Sequence, residues 1–220
     1  MKLLSRPVTA PDPLKELTRI VERRFADLLL FAVTSTALVL LLRTSSAFRM
    51  VDWLYVLQHL LVLGFALTRS EPLIADYSVH STIAVAVAYV YPYAQVICLQ
   101  WWPGSTAWPN GGLILTTASA VFSVVCLLTI GTQFGVRPAL RGLVMRGPYR
   151  LVRHPLYLSY LIADVGYNFQ LWSWGTIGLA LLGWAGMLYR IVAEERVMSK
   201  DCGWSAYVAA VRYRLIPALW

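Results

Sequence analysis

The sequence predicts an all-α fold, a polytopic membrane bundle of about six transmembrane helices, and three observations carry that prediction. The 220 residues are 58% hydrophobic and only 14% charged, where a soluble domain has about 25% charged residues. Mean hydropathy is +0.60, and the apolar residues come in blocks of roughly 15 to 22, the length a helix needs to cross about 30 Å of hydrocarbon. Seventeen of the nineteen Lys and Arg fall in segments 1–27, 69–80, 135–155 and 190–220, alternate intervals between those blocks; Arg43 and Arg49 are the other two. This positive-inside bias predicts that both termini are cytoplasmic. The net charge of +8 is thereby assigned to topology and lipid headgroups, and no nucleic-acid partner is expected.

Taken in order, residues 1–26 form a charged lead with no secretory signal. Its stretch DPLKELTRIVERRF reads as a surface helix capped by Asp12, with Pro13 in the first turn and Leu14, Leu17, Val21 and Phe25 on one face. The six spans are expected at Leu28–Leu42, Val51–Thr68, Ser81–Trp102, Gly112–Phe134, Leu156–Trp172 and Trp174–Tyr189. The first four, over 27–134, read as scaffold. Tyr89, Tyr91, Tyr93, Trp101, Trp102 and Trp108 read as interface anchors, with a hydrophobic groove for a lipid acceptor as the alternative, and Pro92 reads as a kink in the third span. The last two spans are separated by almost nothing and predict a tight helical hairpin within a functional region at 135–220. Cys98, Cys126 and Cys202 imply no disulfide framework, and no metal site is expected.

Polar chemistry gathers in that second region. On span six, Gly175, Gly178, Gly183 and Gly186 share an arc of about 140° and predict close approach of a neighbouring helix. Arg190 and Glu194 continue on nearly the same side as an i, i+4 pair. On span five, Tyr157, Tyr160, Asp164 and Asn168 share an arc of about 80°. Asp164 falls about 13 Å beyond Pro155, where a charge costs at least about 3 kcal/mol unless partnered. His59, at similar depth, is a candidate partner. Asp164 reads either as a structural hydrogen-bonding group or as the inner end of a headgroup or amine site.

Between spans four and five lies GPYRLVRHPLY, residues 147–157. Arg146, Arg150, Arg153 and His154 make an electropositive rim, and Pro155 starts a helix whose free N–H groups favour an anion. Tyr149 and Tyr157 offer flat faces to a purine or a cation. Glu194 and Glu195 offer acceptors to an amine or a ribose hydroxyl. A ligand with a carboxylate, an amine, a ribose, an adenine and a sulfonium, S-adenosylmethionine, matches this set; NADPH suits the arginines but leaves the glutamates unexplained.

The order GPYRLVRHPLY, helical hairpin, RIVAEERVM, GWSAYVAAVRYRLIP resembles the isoprenylcysteine carboxyl methyltransferases, whose wider family includes phospholipid N-methyltransferases. The resemblance covers about residues 135–220. It implies a cytoplasmic S-adenosylmethionine pocket capped by the C-terminal segment, with a lateral opening to the bilayer. It implies that His154 and Tyr157 of RHPxY and Glu195 hold the cofactor, joined in our reading by Tyr149, Arg153 and Tyr207. Arg190 and Glu194 would lie between cofactor and acceptor as the catalytic pair. Tyr160, Asp164 and Arg212 are assigned to the substrate side, Arg212 and Tyr207 belonging to the closing segment. The first four spans carry no matching motif, and Asp164 is not part of the family pattern.

The expected reaction is direct methyl transfer to a lipophilic acceptor reached from the bilayer, with S-adenosylhomocysteine as product. A carboxylate acceptor needs no base and Arg190 orients it; an amine acceptor makes Glu194 or Asp164 the candidate base. The alternatives are an NADPH-dependent membrane reductase of the sterol C14-reductase type, or a non-catalytic lipid-binding module. The expected location is a bacterial inner membrane or the endoplasmic reticulum, with the site facing the cytoplasm and membrane lipids as partners.

Overall fold

The computed structural model describes residues 27–39 and 50–220. The expected surface helix at 12–25 and the end of the first span lie outside them. Seven α-helices are described: α1 (Asp27–Val39), then α2 (Met50–Thr68), α3 (Val79–Trp101), α4 (Pro109–Ile130), α5 (Pro155–Gln170), α6 (Trp174–Met198) and α7 (Trp204–Ala210). Four of them, α2, α3, α4 with its following turn, and α6, are long and apolar enough to cross a membrane. The expected span at Leu156–Trp172 is α5, only 16 residues or about 24 Å. It falls short of the hydrocarbon thickness because the Ser173 cap of α6 follows so closely.

Local chemistry sets the boundaries. Ser78 Oγ caps α3 by accepting from Ser81 N, and Pro109 and Pro155 open α4 and α5 at positions where no N–H is needed. Ser173 and Thr176 form a reciprocal capping box at the start of α6. Pro92 sits inside α3, which remains one continuous helix.

The helices pack as two slabs. In one, α4 lies between α2 and α5; in the other, α3 runs along α6. Small residues permit close approach within each slab. A Cβ on Gly112 would stand 2.5 Å from the Gly166 carbonyl oxygen, so α4 and α5 cross almost backbone to backbone. A Cβ on Gly183 would stand 2.3 Å from the Tyr91 ring, and one on Gly175 2.4 Å from Cys98 Sγ. The predicted glycine face of α6 is thus the seat of α3, Gly178 excepted, which meets nothing within 4 Å. Larger side chains, Val62, Val85, Leu127 and Leu156 among them, fill the space between slabs. The hairpin is therefore a short connection rather than a packing unit: α5 and α6 touch sparingly and each leans on an earlier helix. Gly112→Ala is expected to lower stability by about 1–3 kcal/mol, since backbone is what the methyl meets; thermal unfolding in detergent measures it, and an unchanged midpoint would refute the crossing.

Loops join at both ends of the bundle. At one end β1 (Ile74–Ala75) pairs antiparallel with β2 (Ala139–Leu140), a short ladder the all-α reading did not anticipate. Arg69 Nη2 donates to both oxygens of Asp27 at 2.7 Å nearby. At the other end Ser105 bridges Trp172, beside the edge-on Trp108–Phe169 and Trp172–Trp174 ring pairs. Segments 69–78, 131–154 and 199–220 thus share one end, three of the intervals that the charge bias grouped together.

Candidate functional site

The polar residues of the second region converge at that basic end. α6 is 25 residues long, about 37 Å, so its last turns extend past a hydrocarbon core of about 30 Å. They carry Arg190, Glu194 and Glu195 to the start of α5. There the Tyr157 hydroxyl donates to Glu194 Oε1. His154 stands between the two glutamates, Nδ1 at 3.8 Å from Glu194 Oε2 and Nε2 at 3.4 Å from Glu195 Oε1.

A cavity opens beside this cluster. Its enclosed space is about 90 Å³, and it widens to about 640 Å³ of empty volume when the open mouth is included. Tyr149, His154, Tyr157, Tyr160, Arg190 and Glu194 all line it, so six of the eleven predicted site residues meet there. Arg190 is 6% exposed. Its guanidinium lies 5.3 Å from the Tyr157 ring centroid and 5.6 Å from that of Tyr89, close enough for cation–π attraction. Nη2 donates to the Val136 carbonyl at 2.9 Å and approaches Glu194 Oε1 at 3.7 Å. Among the described residues Nε is buried without a hydrogen-bond partner, and a buried donor of this kind calls for one.

The other five occupy different positions. Arg153 and Glu195 lie behind His154 as a clamp on the C-terminal segment. Arg153 Nε donates to Glu195 Oε1 at 2.7 Å, and Arg214 Nε to Glu195 Oε2 at 2.8 Å. Arg153 also donates to the carbonyls of Val211 and Arg212, while its own N–H and that of His154 bond to Tyr213 O and Arg214 O. Tyr207, on α7, donates its hydroxyl to the Tyr149 carbonyl at 3.1 Å. Burial pushes the Tyr207 phenol up to about 12 and Tyr149 well above its ordinary value, so both stay neutral hydrogen-bonding groups near neutral pH. The Arg212 side chain is exposed; Arg214, two residues on, holds the carboxylate.

Asp164 does not line the cavity. Its Oδ2 accepts from Trp184 Nε1 at 2.9 Å, joining α5 to α6. His59, the candidate partner, instead places Nδ1 on the Tyr55 carbonyl at 2.7 Å. The reason is the slab order: α2 packs on α4, one helix away from α5.

Sequence reasoning missed several lining residues: Tyr89 from α3, Ile130 from α4, and Gln133, Phe134 and Arg137 from the turn after it. The expected division at 134 therefore runs through the cavity. The sequence offers Tyr89 as an interface anchor or part of a lipid-acceptor groove, and no local signal separates a ring facing lipid from one facing a guanidinium.

Fold and site together define a class: helical membrane proteins that build a polar cavity where the ends of their last two long segments emerge beside a closing C-terminal strap. The sequence model of the isoprenylcysteine carboxyl methyltransferase family matches residues 112–200. That segment carries most of the residues that line the cavity. The chain is also 29% identical over 135 residues to a protein-S-isoprenylcysteine O-methyltransferase A of Arabidopsis thaliana, covering 56% of this chain and 66% of that protein. The chain therefore matches just under two-thirds of the relative's length. No solved structure matches.

Proposed function

We propose that this protein is an S-adenosylmethionine-dependent methyltransferase acting on a carboxylate at the end of a lipophilic, prenylcysteine-like acceptor. The single observation that carries the choice of acceptor is Arg190, buried between two tyrosine rings at the cavity with an Nε that has no partner among the described residues. A buried cation with a free donor suits a carboxylate. An amine acceptor needs a free carboxylate as base, and both candidates are engaged: Glu194 accepts from Tyr157, and Asp164 from Trp184 away from the cavity. The family match supports a methyl donor over NADPH.

The residues fit the cofactor by the chemistry of the donor set: Tyr149 Oη and Gln133 Oε1 are buried without partners among the described residues, and His154, Tyr157 and Glu194 line the same space. When bound, S-adenosylmethionine supplies a methyl group already activated by its positive sulfur. Arg190 orients the acceptor carboxylate so that one oxygen faces that methyl. Tyr157 and Tyr89 cover the guanidinium and exclude water, which strengthens the pairing. Glu194 holds the Tyr157 hydroxyl and so fixes its ring. No base is required, because the acceptor is already an anion.

The test is transfer of labelled methyl from S-adenosylmethionine to a farnesylated cysteine analogue, followed by alkali. A methyl ester releases the label as volatile methanol; an N-methyl group keeps it. Retained label would exclude the carboxylate reading. In a second measurement, S-adenosylhomocysteine at 100 times its Kd is expected to stabilise the protein by about 2.7 kcal/mol, and NADP⁺ not at all. Stabilisation by NADP⁺ alone would favour a reductase.

A further inference from the structure

We infer that Gln133 reads the exocyclic amine of the adenine base, its side-chain carbonyl accepting one N–H; this rests on the methyltransferase reading above. Gln133 closes the 3₁₀ turn Gly131–Gln133 that follows α4, and lies outside every motif that carries the family resemblance. Its Oε1 is buried and accepts no hydrogen bond among the described residues. Such an acceptor costs about 1–3 kcal/mol in a folded protein unless a ligand or water meets it, so it marks a position where a donor belongs.

Two further features say which donor. Gln133 lines the main cavity and also an adjoining recess formed with Leu143, Val144, Met145 and Arg146. Leu143, Val144 and Met145 with one orphan acceptor and the Arg146 guanidinium suit a flat heteroaromatic ring that carries an N–H, rather than an ammonium, which the guanidinium repels. The amide is also seated tightly. Gly142 has φ +126°, and a Cβ there would stand 3.2 Å from Gln133 Nε2. Only glycine readily takes that backbone conformation, and the missing side chain lets the amide lie against the loop. Arg190, Tyr157 and Glu194 line the same main cavity, so the base would sit in the recess and the reacting end beside Arg190.

The experiment compares S-adenosylhomocysteine with S-inosylhomocysteine, in which a ring carbonyl replaces the amine, by calorimetry on the full chain in detergent. Wild-type protein is expected to bind the adenosyl compound roughly 10- to 100-fold more tightly, the usual penalty for leaving a buried polar group unpaired. Gln133→Leu should weaken the adenosyl compound by a similar factor and leave the inosyl compound unchanged within about threefold. Equal affinity of wild-type protein for both compounds would overturn the assignment without reference to any variant. So would equal weakening of both by Gln133→Leu. Absence of any binding of either compound by wild-type protein would instead bring down the methyltransferase reading on which the assignment rests.

Discussion

Replacing Arg190 by Lys is expected to lower kcat/KM for methyl transfer by roughly 100- to 1000-fold, the range seen when a positioned charge-stabilising donor is removed, while S-adenosylhomocysteine affinity changes less than about threefold. Lysine keeps the charge but loses the planar fork. It cannot donate to Val136 O, face both Tyr89 and Tyr157, and present a donor in the direction of Nε at the same time. The loss should therefore appear in the acceptor-dependent steps. A variant that transfers methyl within tenfold of wild type would refute the role of Arg190 in orienting the acceptor. Loss of cofactor affinity matching the loss of rate would move Arg190 to the donor side.

The second large effect is on folding. Glu195→Ala should destabilise the protein by about 3 kcal/mol, the lower end of the cost of leaving a buried charge unpaired. Glu195 is 8% exposed and its carboxylate holds two guanidinium groups and faces His154. Arg153 is the partner that matters, with a side chain only 7% exposed; that of Arg214 is 37% exposed, and its share is screened by solvent. Release of this clamp should free the C-terminal segment, which otherwise pairs its backbone with Arg153 and His154. Limited trypsin digestion should then cut after Arg212 and Arg214 far faster than in wild type. Arg212→Ala is the contrast: its side chain is exposed, and stability should change by less than about 0.5 kcal/mol. Equal stability of Glu195→Ala and wild type would remove the clamp.

These two residues show how far helical spacing carries. The i, i+4 relation placed Arg190 and Glu194 on one side of α6, and they do approach at 3.7 Å. The same spacing put Asp164 in a stripe with Tyr157 and Tyr160, yet Tyr157 and Tyr160 line the cavity and Asp164 does not. A stripe states which residues share a face; it does not state where along that face a neighbouring helix ends and a cavity begins. Glu194 and Glu195 make the same point at shorter range. Adjacent on one helix, they point about 100° apart, one to the cavity and one to the C-terminal clamp.

What the amino-acid order determined by itself is what depends on local terms: apolar blocks long enough to become membrane helices, the Pro155 start, the glycine face of α6, and basic segments grouped at one end. Each follows from transfer of apolar side chains, backbone hydrogen bonding or charge near a bilayer, and needs no knowledge of the neighbour. The tertiary structure alone decided the partners. Slab order took α5 to α4 and α6 to α3, gave Asp164 to Trp184 rather than His59, and brought Tyr89 beside Arg190. Those outcomes depend on which backbones can approach most closely, at Gly112–Gly166 and Gly183–Tyr91, and that steric complementarity exists only between two surfaces, never within one stretch of chain.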